Sequence, residues 1–337
     1  MVVYTQPITV PPAEAALFLV VTINPGKEGA VRSGLEQLPG LTRSVRYRLP
    51  ENHLSRVVGI SDSGYRRLFD GPRPRYLRPF QALEGPRHKA PATPGDLLFH
   101  LRAKTTDLCF ELGKLVMEAL GDSVTTQVEV HGFRYFDERD LLGFVDGSEN
   151  PTGPPGDASV YIGDEDPHFR GGSYVITQKY LHDLTTWQAM TVEQQEMVIG
   201  RHKQDDVEFP DSVKPADAHI VVNTITVDGV QHKIVRDNMP FAEIGKGEFG
   251  TFFIGYSRNP EVTELMLQRM FIGEPVGNTD RILEVSTAKT GTLFFVPSED
   301  FLDNLPDAPA HPDTSESTAP PLTMAQLKEG IANEGFK

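Results

Sequence analysis

Apolar residues in this chain fall into short runs separated by Gly- and Pro-marked breaks, and the spacing inside each run predicts its element. Ala16 to Ile23 (ALFLVVTI) is continuous, as a buried strand should be. Leu54 to Ile60 and Leu97 to Ala103 are further strands by the same reading, and a helix is expected around residues 27 to 38. Between Thr106 and Leu120, the residues Leu108, Leu112, Leu115, Val116 and Ala119 follow helical spacing. Thr106 or Asp107 is available to cap that helix and Gly121 to end it. Val124, Thr126, Val128 and Val130 then alternate as a half-buried strand does. The order is β-α-β-β-α-β.

The second half repeats it. Gly172 to Tyr180 reads as a strand, and Thr191 to Ile199 as a helix opened by a Thr-x-x-Gln capping box and stopped at Gly200. Strands are expected at His232 to Arg236, Phe249 to Tyr256 and Gly291 to Val296, with a helix capped by Asn259 and begun by Pro260 before the last of them. The fold class expected is therefore α+β: two ferredoxin-like halves (a duplicated β-α-β-β-α-β), each an antiparallel sheet with helices packed outside. The expected division is residues 1–135, residues 136–300, and a flexible segment over 301–337. Residues 306 to 321 hold five prolines, three acids and no Lys or Arg, the composition of an extended solvated linker.

Composition narrows the partners. The formal net charge is −15, from 47 acidic and 32 basic residues, which repels nucleic-acid phosphates and anionic lipid. No apolar run approaches the ~18 residues that span a bilayer. The first 18 residues show no basic segment followed by an apolar one, so a cytoplasmic protein is expected. A single cysteine, Cys109, excludes an internal disulfide and a Cys-based metal cluster.

Three segments carry candidate chemistry. Among ten histidines, His53, His88, His168, His182 and His311 lie in polar or Pro-flanked stretches and read as surface, and His100 reads as core. His219 follows KPAD and precedes an apolar run, Ile220 to Val222, read as a strand. An imidazole at a strand end can be an axial haem ligand or a plain structural histidine. LLGFVDGSENPTGP, residues 141 to 154, is a tight irregular loop in which Asp146 sits among Phe144, Val145 and Gly147. Asp146 is thus either a carboxylate pressed into an apolar cavity or a turn cap. In KIVRDNMPF, residues 233 to 241, Arg236 and Asn238 are two apart and would face one side of a strand; the other reading of Arg236 is an ordinary exposed arginine.

Together these segments resemble the dye-decolorizing peroxidases, in particular the bacterial class B members. GFVDG (143–147) resembles that family's GxxDG signature, and GGSYV (171–175) and EMVIGR (196–201) resemble further family segments. The resemblance implies a peroxidase with one haem b per chain in the C-terminal half. It would reduce hydrogen peroxide and oxidise one-electron donors through ferryl iron. It implies His219 as iron ligand, Asp280 as acceptor of that imidazole's other N–H, and Arg201 as partner for a haem propionate. Asp146 and Arg236 become the groups that act on peroxide, with Asn238 and Ser148 supporting them. Activity is expected to peak on the acidic side of neutrality, since a carboxylate base is ionised there. The reductant is unidentified; Trp187 and several tyrosines are candidates for a surface electron relay. A haem-handling protein of the deferrochelatase kind is the alternative, needing His219 but not Asp146 or Arg236.

A homo-oligomer is expected, and one larger partner is implied. Some family members carry a C-terminal peptide that docks inside an encapsulin shell. Leu322, Met324, Leu327 and Lys328 reproduce its apolar order, without the usual intervening glycines and serine. The other reading of residues 322–328 is an amphipathic tail that packs on its own domain or on a neighbouring subunit.

Overall fold

A computed structural model describes residues 3–315 and 320–333. The first half supplies strands β1 (Ala15–Ile23), β2 (Ser55–Ser61), β3 (Leu97–Ala103) and β4 (Val124–Phe133), with helices α1 (Glu28–Arg46) and α2 (Thr106–Leu120) in the crossovers. The second half supplies β5 (Ser173–His182), β6 (Val235–Arg236), β7 (Met239–Glu243), β8 (Glu248–Ser257) and β9 (Thr292–Val296). Its helices include α3 (Val192–Ile199), α4 (His219–Asn223) and α5 (Pro260–Phe271).

Each half has one strand order. In the first it is β2-β3-β1-β4, in the second β6-β8-β5-β9, with β7 continuing β6 along the same edge of β8. This is the duplicated ferredoxin-like arrangement. The halves do not keep separate sheets, because β9 pairs with β2 and joins them into one ten-stranded sheet. The sheet curls until one inner face meets the other. Phe18 of β1 stacks on Phe252 of β8 at 4.3 Å, and Gly132 of β4 lies against Met239 of β7. Alternation then divides each strand: Phe18, Val57, Leu98 and Ile254 fill the core between the halves, while Leu17, Leu19, Phe99 and Leu101 face the outer helices.

Several local expectations are corrected. Helix α1 runs on through Pro39 to Arg46. Its buried stripe Val31, Leu35, Leu38, Thr42, Val45 keeps helical period across that proline, so tertiary packing outweighs the local breaker. The cap of α2 is Thr105, one residue before the expected pair. The segment His232 to Arg236 is not one strand: Val230–His232 closes a hairpin with Ile225–Val227, and β6 begins only at Val235. The linker also lies on the body. Arg32 donates to Pro306 O at 2.7 Å, Asp70 N–H to Asp307 O at 2.9 Å, and Arg66 pairs with Asp313 at 2.9 Å.

The last described element is helix α6 (Met324–Asn333), opened by Thr323 and Gln326 bonding each other's backbone N–H. Leu327 and Ile331 are buried against Ile225, Ile234, Val262 and Leu265, with Leu322 and Met324 at the margin.

Candidate functional site

The second half encloses a cleft of about 1110 Å³, counted to its open mouth, and every residue lining it lies between Asp140 and Ser286. Its walls are mostly apolar: Phe144, Ile199, Ile220, Phe253, Met266 and Ile282 are among them. All of His219, Asp146, Ser148, Arg201, Arg236 and Asn238 reach it. Asp280 stands one layer behind.

His219 opens helix α4, where an apolar strand was expected. Asn223 and Thr224 side chains bond back to the His219 and Ile220 carbonyls, closing a short helical turn that the run of β-branched residues did not predict. Its Nδ1 is hydrogen-bonded to Asp280 Oδ2 at 2.7 Å. Asp280 is 0% exposed, and its carboxylate also accepts from Asn223 Nδ2 at 3.1 Å and from Ile282 N–H at 3.0 Å. A carboxylate so held fixes the ring's tautomer and orientation and leaves Nε2 for a ligand. Asn223, which braces both partners, had no signal in the sequence.

The loop after β4 carries Asp146. Gly143 and Gly147 have φ of +90° and +83°, so the chain doubles back here in a way that favours glycine. Asp146 Oδ2 accepts from Asn238 Nδ2 at 3.1 Å, while Asn238 Oδ1 accepts the Ile254 N–H at 3.0 Å. Arg236, at the end of β6, and Asn238, in the break before β7, both face the cavity, as their spacing implied. Asn150, from the same loop, binds both backbone groups of Arg236, donating to its O at 2.6 Å and accepting from its N–H at 2.9 Å. Ser148 lies exposed at the rim.

Asp140 is a second carboxyl in this loop. It accepts the Phe144 N–H at 3.0 Å, and burial, reinforced by the neighbouring Asp146 carboxylate, raises its pKa to about 7. His182 was read as a surface residue, yet it lines the cavity. Its nitrogens meet Ser286 Oγ at 2.7 Å and Thr251 Oγ1 at 3.0 Å, and burial lowers its pKa to about 4, so it stays neutral. Trp187 is 2% exposed, donates to Leu142 O and packs edge-on against Phe144, so it is a support of the cavity wall and not a surface relay. Arg201 follows α3 and is held by Glu149 at 2.5 Å, Asp206 at 3.5 Å and Glu208 at 3.4 Å.

These groups suit a flat apolar cofactor that brings most of its own metal ligands. One oriented imidazole is offered, the walls are apolar, and an arginine stands at the edge. Among the described residues no group of three or more His, Cys, Asp or Glu side chains is arranged to hold a bare metal ion.

Two family models match the chain: Dyp-type peroxidase, N-terminal, over residues 5–134, and Dyp-type peroxidase, C-terminal, over residues 137–301. The dye-decolorizing peroxidase of Mycobacterium tuberculosis is 54% identical over 96% of both chains. Among solved structures, the encapsulated DyP-type peroxidase from Mycobacterium smegmatis is 55% identical, with a TM-score of 0.90 over 91% of this chain and all of that one. A DypB variant from Rhodococcus jostii, solved in complex with heme, is 52% identical, with a TM-score of 0.88 over 90% of this chain and 99% of that one.

Proposed function

The chain belongs to the Dyp-type peroxidase family, and from that premise we propose how its cavity does the work of a haem peroxidase. The protein is an oxidoreductase that uses haem and hydrogen peroxide to oxidise dyes or similar one-electron donors. Its relatives' activity favours this over the haem-handling alternative. The observation that carries the assignment of residues is the 2.7 Å bond from His219 to the fully buried Asp280 at the wall of an apolar cleft.

His219 Nε2 would hold the haem iron, with Asp280 retaining the Nδ1 proton and increasing the ring's donor strength. Arg201 would pair a propionate, joining or displacing the carboxylates that now surround it. When bound, the haem supplies the redox centre that takes oxidising equivalents from peroxide and passes them on singly. The protein's part is proton movement and charge. Asp146, held at Oδ2 by Asn238, accepts a proton from the near oxygen of peroxide and returns it to the far one. Arg236 is permanently charged and stabilises the negative charge that builds on the departing oxygen. The apolar walls keep bulk water from competing.

The test is an absorption spectrum of haem-loaded protein, before and after one equivalent of peroxide, for the native chain and for Asp146→Ala, Arg236→Ala and His219→Ala. A rapid Soret change in the native protein, slowed at least tenfold by either distal substitution, is expected; the His219 variant should lose or alter its Soret band. Unchanged rates in both distal variants would move the proton chemistry elsewhere.

The encapsulated relative supports a shell-associated role, with residues 322–328 as the docking peptide. In the structure Leu322, Met324 and Leu327 rest on the protein's own body, and Gln268 Nε2 donates to Leu322 O at 2.7 Å. Shell binding therefore requires the tail to lift away. Deleting residues 306–337 should abolish retention by a co-expressed shell; full retention would remove the tail from that role.

A further inference from the structure

Among the described residues the first half contributes no side chain to the cavity, yet it reaches the two residues that face peroxide through the residue between them. Asp237 separates Arg236 from Asn238, and strand alternation turns it to the opposite face, into the core between the halves. There it meets Arg102 of β3, with the two side chains 12% and 1% exposed. Among the described residues Asp237 is the one carboxylate in ion-pair contact with Arg102. The other end of the Arg102 fork donates to Pro7 O. His100, also on β3, brings Nε2 within 3.7 Å of the Asp237 carboxylate while its Nδ1 bonds the Tyr256 hydroxyl at 2.8 Å. Burial, and secondarily Arg102, pushes the His100 pKa well below its ordinary value, so the pair is one cation against one anion.

The segment needs such an anchor. It lies on the outermost strand of the sheet, paired with β8 alone. At residues 237 and 238 the regular ladder is interrupted: Asp237 N–H still reaches Ile254 O at 3.1 Å, but the Ile254 N–H is taken by the Asn238 side chain. Asn150 grips Arg236 from the outer edge. On the inner face Val235 and Met239 pack into the core between the halves, and between them Asp237 makes the segment's charged contact. A buried arginine fork paired with a carboxylate is stiff, because releasing either partner strands a charge in a low-dielectric core.

We propose that Asp237 and Arg102 are positioning residues for the peroxide reaction: their ion pair fixes the Arg236–Asn238 segment at the height and rotation the cavity requires. This rests on the reading of Arg236 and Asn238 given above. It also gives the first half a part in the chemistry, as the body to which the peroxide-facing edge is tied.

The test uses haem-loaded Asp237→Asn, with Arg102→Lys as a second variant that keeps the charge and loses the fork. Three quantities are measured: the second-order rate with hydrogen peroxide, the affinity for cyanide (a small probe of the same side of the iron that needs no turnover), and amide exchange over residues 235–241. The expected result is at least a tenfold loss of peroxide rate, a rise in KM for peroxide larger than any fall in kcat, cyanide binding weakened by a similar factor, and faster exchange in that segment. Faster exchange with peroxide rate and cyanide affinity within twofold of native would overturn the proposal, leaving the pair a structural one. Should Asp237→Asn not fold, Arg102→Lys decides by the same thresholds. If Arg236→Ala and Asn238→Ala themselves leave both quantities unchanged, the parent reading fails and not the ion pair's.

Discussion

The two halves share one strand order but treat the space between sheet and helices differently. In the first half the crossover after β1 spans residues 24 to 54, and α1 lies flat beside α2 on the sheet. Leu17, Leu19 and Val21 interlock with Val31, Leu35, Leu112 and Val116, none more than 4% exposed. The fit is close enough that a methyl group at Gly113 would stand 2.5 Å from Leu17 Cδ2. In the second half the matching crossover covers residues 183 to 234 and is spent on a short helix (Leu184–Ala189), α3, α4 and a hairpin that stand around the sheet's edge. Among the described helices α5 is the one laid on the outer face, and beside Phe253 and Met266 the cleft opens. One topology thus yields a solid core or a walled cleft according to where a single crossover runs. Function sits where the packing is incomplete.

The strongest way to break this comparison is to delete the same bulk from each half. Leu35→Ala removes a fully buried side chain from a filled layer and should cost about 2–5 kcal/mol in urea unfolding of haem-free protein. Ile220→Ala borders space that is already open, so about 1 kcal/mol or less is expected, with the larger loss appearing in haem retention. Equal costs would mean that the cleft is collapsed and packed in the absence of haem.

Buried carboxylates sharpen the contrast at a smaller scale. Asp96 in the first half accepts the Ile23 N–H at 2.7 Å and lies 3.4 Å from Arg67, an arrangement whose whole content is structural. Asp280 in the second half faces an imidazole. Asp280→Asn keeps the shape and discards the charge, and is expected to weaken haem binding about 10–100-fold, the usual range for the group behind a ligand. Asp96→Asn should lower the unfolding midpoint and leave haem release unchanged. Comparable haem losses in both would show that general loosening, and not orientation of His219, governs retention.

The same contrast explains what could be read in advance. In the first half period and core coincide in β1 and α2, because the residues that set the period also fill the layer; β4 is found by its alternation too, but a bulge at Gln127 puts Val124 and Val130 on opposite faces and leaves Thr126 exposed. In the second half the residues around the cleft answer to a cavity. Ile220 to Val222 are β-branched, yet bonds from Asn223 and Thr224 side chains wind them into a helix. His182 looked polar and exposed because its partners, Ser286 and Thr251, come from distant strands. His219, Asp146, Arg236 and Asn238 were legible only through their motifs. Asn150 and Asn223, which hold Arg236 and His219, and Asp140, which ties the Asp146 loop together through Phe144, belong to no spacing pattern and emerge only when the loops are folded together.

Asp140 offers the finest test, since it has no counterpart in the packed half. An unfolded aspartate titrates near 3.8, whereas burial beside Asp146 raises the folded value to about 7. Between those values the folded chain keeps a proton that the unfolded chain has released, so this group's contribution to stability is complete below about pH 4 and is lost as pH rises through 7. Asparagine has no charge to bury. Asp140→Asn should therefore match the native protein below pH 4 and melt at higher temperature above pH 7, in the difference between the two melting curves. Peroxide reactivity should follow the same group: an inflection near pH 7 in the native protein, as a second negative charge forms beside Asp146, and none in the variant. A difference curve flat across the whole range would mean that the Asp140 carboxyl is well solvated and does not govern the loop's response to pH.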